Sequence, residues 1–199
     1  MPGLDAEQGR LSIQELLAVK PDAPNASASY VLLARIAAAA SGKPFADTAD
    51  DTVFASVLLT GSGIDDGALA ADQRMAKGYL KDGTLAPQTD WASLTGAASA
   101  YTTTRGAYHW LDRLFGGGLL SPEGRDRLLA GPLSKVSFRG PQSPPEGCEA
   151  QGRAPGFASY VLWLPKVTVV VLANVETDLA KDIGGQLAMT ALNDTPAVP

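Results

Sequence analysis

The stretch Phe157-Ala158-Ser159-Tyr160-Val161-Leu162-Trp163-Leu164-Pro165-Lys166-Val167-Thr168-Val169-Val170-Val171-Leu172-Ala173-Asn174-Val175 decides the fold. Two runs rich in β-branched and aromatic residues, Phe157–Leu164 and Val167–Val175, flank Pro165-Lys166, which is the pattern of two antiparallel strands joined by a tight turn. Residues of both parities are apolar: Tyr160, Leu162 and Leu164 against Val161 and Trp163, then Val169, Val171 and Ala173 against Val170 and Leu172. A sheet wet on one side alternates apolar and polar residues, so both faces of this hairpin are expected to be covered, most simply by helices.

The rest of the chain has the material to supply that cover. Its 199 residues are 45% hydrophobic, enough for one globular domain, or one and a half, with a substantial core. A net charge of -5 without any run of Lys or Arg argues against nucleic acid or an anionic membrane surface as partner. The single cysteine, Cys148, excludes an internal disulfide and a cysteine-rich metal cage, and no cofactor motif is present. Met1–Leu17 lacks the basic and apolar regions of a signal peptide, which places the chain in the cytoplasm by default, and no window is long enough for a membrane span.

Taken in order, Ser12-Ile13-Gln14-Glu15 carries the capping-box pattern and opens a short helix that Pro21 and Pro24 end. Ser27 is expected to cap a helix over Ala28–Ala40, apolar nearly all round apart from Arg35 and therefore buried, with Gly42 as its left-handed end. Asp47–Leu59 holds a weaker helical signal, Gly61–Gly67 is a loop, and Tyr79–Leu85 forms a small hairpin about Asp82-Gly83. Thr102–Thr104 caps a helix whose Ala107, Tyr108, Leu111, Leu114 and Phe115 share one face, ended by Gly116-Gly117-Gly118. A helix from Ser121-Pro122 to Leu128-Leu129, a third strand over Lys135–Arg139 and a loop over Gly140–Ala154 follow. Last, Leu179, Ile183, Leu187 and Ala191 recur every fourth residue, the stripe by which a closing helix is expected to pack on the sheet.

Asn25-Ala26-Ser27-Ala28-Ser29-Tyr30-Val31-Leu32-Leu33-Ala34-Arg35-Ile36 with Ser41-Gly42-Lys43-Pro44-Phe45 resembles the segment Tyr-Ser-Asn-x-x-Tyr-x-Leu-Leu-Gly-x-Ile…Ser-Gly-x-Pro-Phe of serine β-lactamase-related hydrolases, the class C β-lactamases, DD-peptidases and esterases of one scaffold. The likeness continues through Tyr101-Thr102-Thr103-Thr104, Trp110, Leu119-Leu120-Ser121-Pro122, Pro155-Gly156-Phe157-Ala158-Ser159 and Val169–Asn174, and covers roughly residues 11–192. It implies an α/β (α+β) fold: an antiparallel sheet covered by helices on both faces, shortened at the N-terminus, in one domain over residues 1–199. Within that domain about 28–132 would be a helical region, and about 133–192 sheet and closing helix.

The departures from the family pattern bear on activity. Such enzymes need Ser-x-x-Lys, because a serine hydroxyl is a weak nucleophile until a lysine one helical turn away takes its proton. No serine here is followed three residues later by lysine, and the family carries that motif upstream, where this chain has only about two dozen residues. The second motif aligns its tyrosine with Asn25 and its asparagine with Ser27, and an amide cannot shuttle a proton as a phenol does. At the third motif, His-x-Gly or Lys-Thr-Gly in the family, stand Ala150-Gln151-Gly152, which keep only the glycine.

The other chemistry-bearing residues have plainer readings. His109 lies off the apolar stripe of its helix as a solvated residue, and with no second ligand at metal spacing it builds no zinc site. Cys148 falls in the loop before the third motif, on what would be the cleft side, and Ser27 is a nucleophile only if something activates it. Asp47, Asp50, Asp51 and the pair Asp65-Asp66 are solvated charge, and Trp91, Trp110 and Trp163 are core or cleft wall.

Two functions follow: a noncatalytic chain that binds a small molecule or partner in what is left of the cleft, with Asn25, Ser27 and Gly152 the surviving motif positions, or a serine hydrolase that uses an atypical nucleophile or a complementing segment. The family sheet has five strands and this chain retains three, so a homodimer, a swapped element or a rearranged Leu11–Val19 is expected to cover the open edge.

Overall fold

A computed structural model describes residues 11–19, 26–55, 59–130, 136 and 147–194. The chain divides into two units, Met1–Met75 with Thr89–Thr102, and Ala76–Gln88 with Thr103–Pro199.

The first unit is helical. Helix α1 (Ile13–Leu17) starts at the expected capping box: the Ser12 amide donates to Glu15 Oε2 at 2.8 Å and the Glu15 amide to Ser12 Oγ at 3.3 Å. Its Leu16 is fully buried and α1 packs on α2 (Ala26–Ser41). Helix α2 begins earlier than the sequence suggests, which places Ser27 inside the first turn rather than at its cap. It is also only partly buried, through Ala26, Ser29 and Ala34, with Ala39 and Ala40 exposed. Alanine is compatible with either environment, so an all-alanine turn does not report burial. Helix α3 (Phe45–Ala49) runs on into a π-type turn over Asp50–Phe54, and the two-residue strands β1 (Gly63–Ile64) and β2 (Ala100–Tyr101) pair antiparallel.

The second unit is built on the hairpin. Strands β4 (Phe157–Leu164) and β5 (Val167–Ala173) pair antiparallel with Leu164 opposite Val167, as the two-residue turn requires. A third strand, β3 (Cys148–Ala154), pairs with β4 on the other side, giving the order β3-β4-β5. This corrects the expected loop over Gly140–Ala154. Cys-Glu-Ala-Gln-Gly-Arg-Ala has little strand propensity, but Gly156, at φ +81, lets the chain reverse at Pro155-Gly156 and lays it along β4. Of the expected strand Lys135–Arg139 only Val136 lies within the described residues; it is outside any strand and packs on the core.

Both faces of the sheet carry helices, as the two-sided apolar pattern requires. On one face Leu111 and Phe115 of α4 (Thr104–Gly116) and Leu128 and Leu129 of α5 (Pro122–Ala130) meet Cys148, Val161, Trp163 and Val170, with the Phe115 and Trp163 rings stacked at 4.6 Å. Thr103 Oγ1 caps α4 by accepting from the Gly106 amide at 3.0 Å, while Tyr108, expected on the buried stripe, stands exposed. The expected Tyr79–Leu85 hairpin closes with the Leu80 amide donating to Thr84 O at 2.8 Å, and the Tyr79 amide donates to Asn174 O at 3.0 Å.

The opposite face is covered by α6 (Ala180–Asp194), in a different rotation from the one its sequence suggests. Ala180, Gly184, Ala188 and Leu192 face the sheet, while Leu179, Ile183 and Leu187 are 58%, 44% and 50% exposed. The cause is steric. A Cβ on Gly184 would lie 2.2 Å from Tyr160 Cδ1, so the buried Tyr160 ring admits only a stripe of small residues at this distance. Hydropathy marked the larger stripe, but shape complementarity selected the smaller one.

Candidate functional site

The third-motif position lies on an edge strand. Ala150, Gln151 and Gly152 belong to β3 and oppose Val161, Tyr160 and Ser159 of β4, with Gln151 and Gly152 exposed. Side chains alternate along a strand, so Cys148 and Ala150 point to the α4 face and Glu149, Gln151 and Arg153 to the α6 face. No cationic or imidazole group stands at this position.

The second-motif positions are in the first unit. Asn25 lies outside the described residues. Ser27 is exposed in the first turn of α2, and no side-chain hydrogen bond joins it to another described residue. A serine needs a base within hydrogen-bond reach to act as nucleophile, and among the described residues Ser27 has none.

Cys148 is not in a loop, as its sequence context suggested. It is the first residue of β3 and is 7% exposed, against Trp163 in the core beneath α4. Burial, with a smaller contribution from the charge of Glu149, pushes the thiol up to about 11. Near neutral pH about one molecule in ten thousand carries the thiolate, so the thiol is inert. His109 is exposed, with Arg105 Nε donating to its Nε2 at 3.5 Å and the Tyr108 ring edge-on at 5.4 Å.

Of the expected solvated carboxylates, Asp65 is instead buried, and some have local partners. Lys43 Nζ contacts Asp51 Oδ2 at 2.6 Å, and Asp65 Oδ1 accepts from the Gly67 amide at 2.8 Å, the usual work of an aspartate in a turn. Among the described residues no three His, Cys, Asp or Glu side chains gather as a metal ion would require. Nor is any described helix long and apolar enough to cross a membrane. Trp163 is core, whereas Trp110 is half exposed.

One polar cluster was not legible in the sequence. Glu149 on β3 has a side chain only 5% exposed; Lys181 Nζ of α6 lies 3.3 Å from its Oε1, and the Tyr160 hydroxyl donates to it. Burial, then the charge and hydrogen bond of Glu149, hold the Tyr160 phenol well above its ordinary value. Beside this cluster an open groove of about 640 Å³ is lined by Tyr160, Lys181, Asp182, Gln186 and Met189. The ion pair ties β3 to α6, and a carboxylate already shared by an ammonium and a phenol is a structural link rather than a proton acceptor. The signal that could have found it is the parity of β3, which was hidden because β3 itself was read as loop.

No curated protein sequence matches the chain. Among solved structures it is similar to FmtA from Staphylococcus aureus (19% identity, TM-score 0.68, covering 87% of this chain and 51% of that one) and to an octameric penicillin-binding protein homologue from Pyrococcus abyssi (18%, 0.67, 85% and 42%). It is likewise similar to a class C beta-lactamase from Rhodobacter sphaeroides (20%, 0.60, 85% and 60%). The chain thus spans 42% to 60% of the length of these structures, and the likeness is one of fold. The Beta-lactamase family model matches residues 25–190, five sixths of the chain. With its antiparallel sheet between helices and the matched segment running from α2 into α6, this chain belongs to the beta-lactamase family.

Proposed function

We propose that this chain is a noncatalytic member of the serine-hydrolase fold, without turnover of its own, that acts by binding a small ligand or a partner. The observation that carries this reading is the third-motif strand itself: Ala150-Gln151-Gly152 on β3 offers neither a lysine nor a histidine to bind substrate or assist proton transfer. Ser27, exposed and without a base in hydrogen-bond reach among the described residues, and Cys148, whose thiol burial pushes up to about 11, support it, since neither has the activation a nucleophile needs. Even an intact oxyanion hole leaves only about 10³- to 10⁴-fold acceleration once a nucleophile and its base are lost. The expected result is no saturable hydrolysis of a chromogenic cephalosporin or of short p-nitrophenyl esters above a heat-treated control. Turnover near about one per second, typical of working enzymes, that vanishes in Ser27→Ala would overturn the reading.

A second reading has one observation in its favour. The chain covers only 42% to 60% of the structures it resembles, so an active hydrolase completed by a complementing segment accounts for the missing motif. The two readings agree that the chain alone is inactive and differ on whether a nucleophile arrives from elsewhere. We also propose that the chain assembles, as a homodimer or through a swapped element, to cover its open sheet edge.

A further inference from the structure

Strand β3 is anchored at its start and bare along its second half. Cys148 sits in the core and Glu149 is paired with Lys181, but Gln151, Gly152 and Arg153 are exposed. Half a strand with no apolar side chain to bury, and with a glycine in it, belongs at the low end of local stability. Strands β4 and β5, by contrast, bury Tyr160, Leu162, Leu164, Val167 and Val169.

The end of β3 is held from outside the sheet, by Ala76–Gln88 of the same unit. This segment is ordered by its own bonds. Gly83, at φ +83, makes its turn, Asp82 Oδ1 accepts from the Thr84 amide at 2.9 Å and hydroxyl at 2.6 Å, and the Ala86 amide donates to Gly78 O at 2.9 Å. Tyr79 joins it to the sheet. The Tyr79 amide is shared between Asn174 O at 3.0 Å and Gly156 O at 3.3 Å, and Tyr79 O accepts from the Glu176 amide at 2.9 Å. At the tip, Lys81 Nζ lies 2.7 Å from Asp178 Oδ2, while Asp178 Oδ1 pairs with Arg153 of β3. The turn that follows β3 and one of its last side chains are therefore both tied to this segment.

Two glycines let the backbones touch. A Cβ on Gly78 would lie 2.7 Å from Phe157 Cε2 and 3.0 Å from Gly156 Cα, and one on Gly156 would lie 2.6 Å from Ala86 Cβ and 2.7 Å from Gly78 Cα. Gly156 also needs its positive φ for the turn, but Gly78 has no such φ, so at Gly78 the missing side chain serves the contact alone.

We infer that Ala76–Gln88 is a clasp on the third-motif strand: closed, it holds the Pro155-Gly156 turn and keeps Ala150-Gln151-Gly152 paired with β4, and its opening releases the second half of β3 while β4 and β5 stay paired. This deepens the binding reading, on which it rests for the role of those positions, by naming what decides whether they are presented as a strand.

The test is native-state hydrogen exchange of the full chain. In the wild type, the protected amides of Gln151–Ala154 are expected to exchange through the same opening as Ala86 and Glu176, sooner than the core amides of β4 and β5. Gly78→Ala drives a methyl into the Gly156 backbone and the Phe157 ring, and should speed exchange of the β3 and clasp amides about tenfold more than that of the β4–β5 core. Gly185→Ala, whose methyl meets nothing within 4 Å, should leave the ratio of β3 to core exchange unchanged. The inference is overturned if Gly78→Ala speeds the clasp amides and not β3, or speeds β3 and the β4–β5 core equally. If Gly78→Ala does not fold, the wild type decides: β3 amides that open with the β4–β5 core, and not with Ala86 and Glu176, overturn it. Exchange is read without ligand or substrate, so its failure is distinguishable from a failure of the binding reading.

Discussion

Strands β3 and β5 flank the same central strand, yet one edge is written in charge and the other in aliphatic side chains. On the β3 side, Glu149 is tied to Lys181 and Tyr160, and Arg153 pairs with Asp178, which Lys81 Nζ also contacts at 2.7 Å. On the β5 side, hydrophobic surface stands in the open on both strand and helix. An edge left to water is commonly defended with charge, and an edge that lacks charge is a template on which another strand can pair. The family's third motif falls on the defended edge, so the position where chemistry would be sought is also the one where this sequence has placed small and neutral residues.

Four changes break or sharpen this contrast, in descending order of effect. Gly184→Leu should remove it altogether by driving a side chain into the Tyr160 ring and lifting α6 off both edges, at a cost of about 3 kcal/mol, visible as a large fall in urea midpoint. Leu172→Lys should make β5 resemble β3. Its side chain is already 38% exposed, so the stability cost is expected to stay near about 1 kcal/mol, while self-association weakens at least about tenfold by light scattering.

Alkylation of Cys148 probes the base of β3. With the thiol at about 11, its thiolate fraction should rise tenfold per pH unit through the neutral and mildly alkaline range, and iodoacetamide should label the native chain far more slowly than the urea-unfolded chain. Equal rates would place Cys148 outside the core.

The smallest effect belongs to Asp178, exposed and held down from its ordinary 3.8 to about 2, chiefly by hydrogen bonds from Lys81 and Arg153. A carboxylate with a depressed folded-state value contributes stability above its unfolded value and loses it as pH falls through the folded one. Asp178→Asn should therefore lower the melting temperature slightly at neutral pH, by less in high salt, and by progressively less as the pH falls from about 4 through about 2.

The sequence made the hairpin legible because the two-sided apolar run from Phe157 to Val175 admits few other structures, and α4 because Thr103, the Leu111–Phe115 stripe and three glycines mark its start, face and end. Strand β3 was hidden because its pairing is imposed by the turn at Gly156 and by β4, not by its own residues. The rotation of α6 was hidden because two adjacent stripes share the four-residue period, and only the Tyr160 ring selects between them. Of the surviving motif positions, Ser27 and Gly152 fall in different units and Asn25 outside the described residues, so the site was legible as a set of substitutions rather than as a constellation.

The most direct test of the noncatalytic reading is intact mass after incubation with a serine-reactive fluorophosphonate. The native chain and the Ser27→Ala variant are each expected to keep their own unmodified mass, with no adduct on either. One stoichiometric adduct on the native chain that is absent from the heat-treated chain would show an activated serine and contradict the noncatalytic reading.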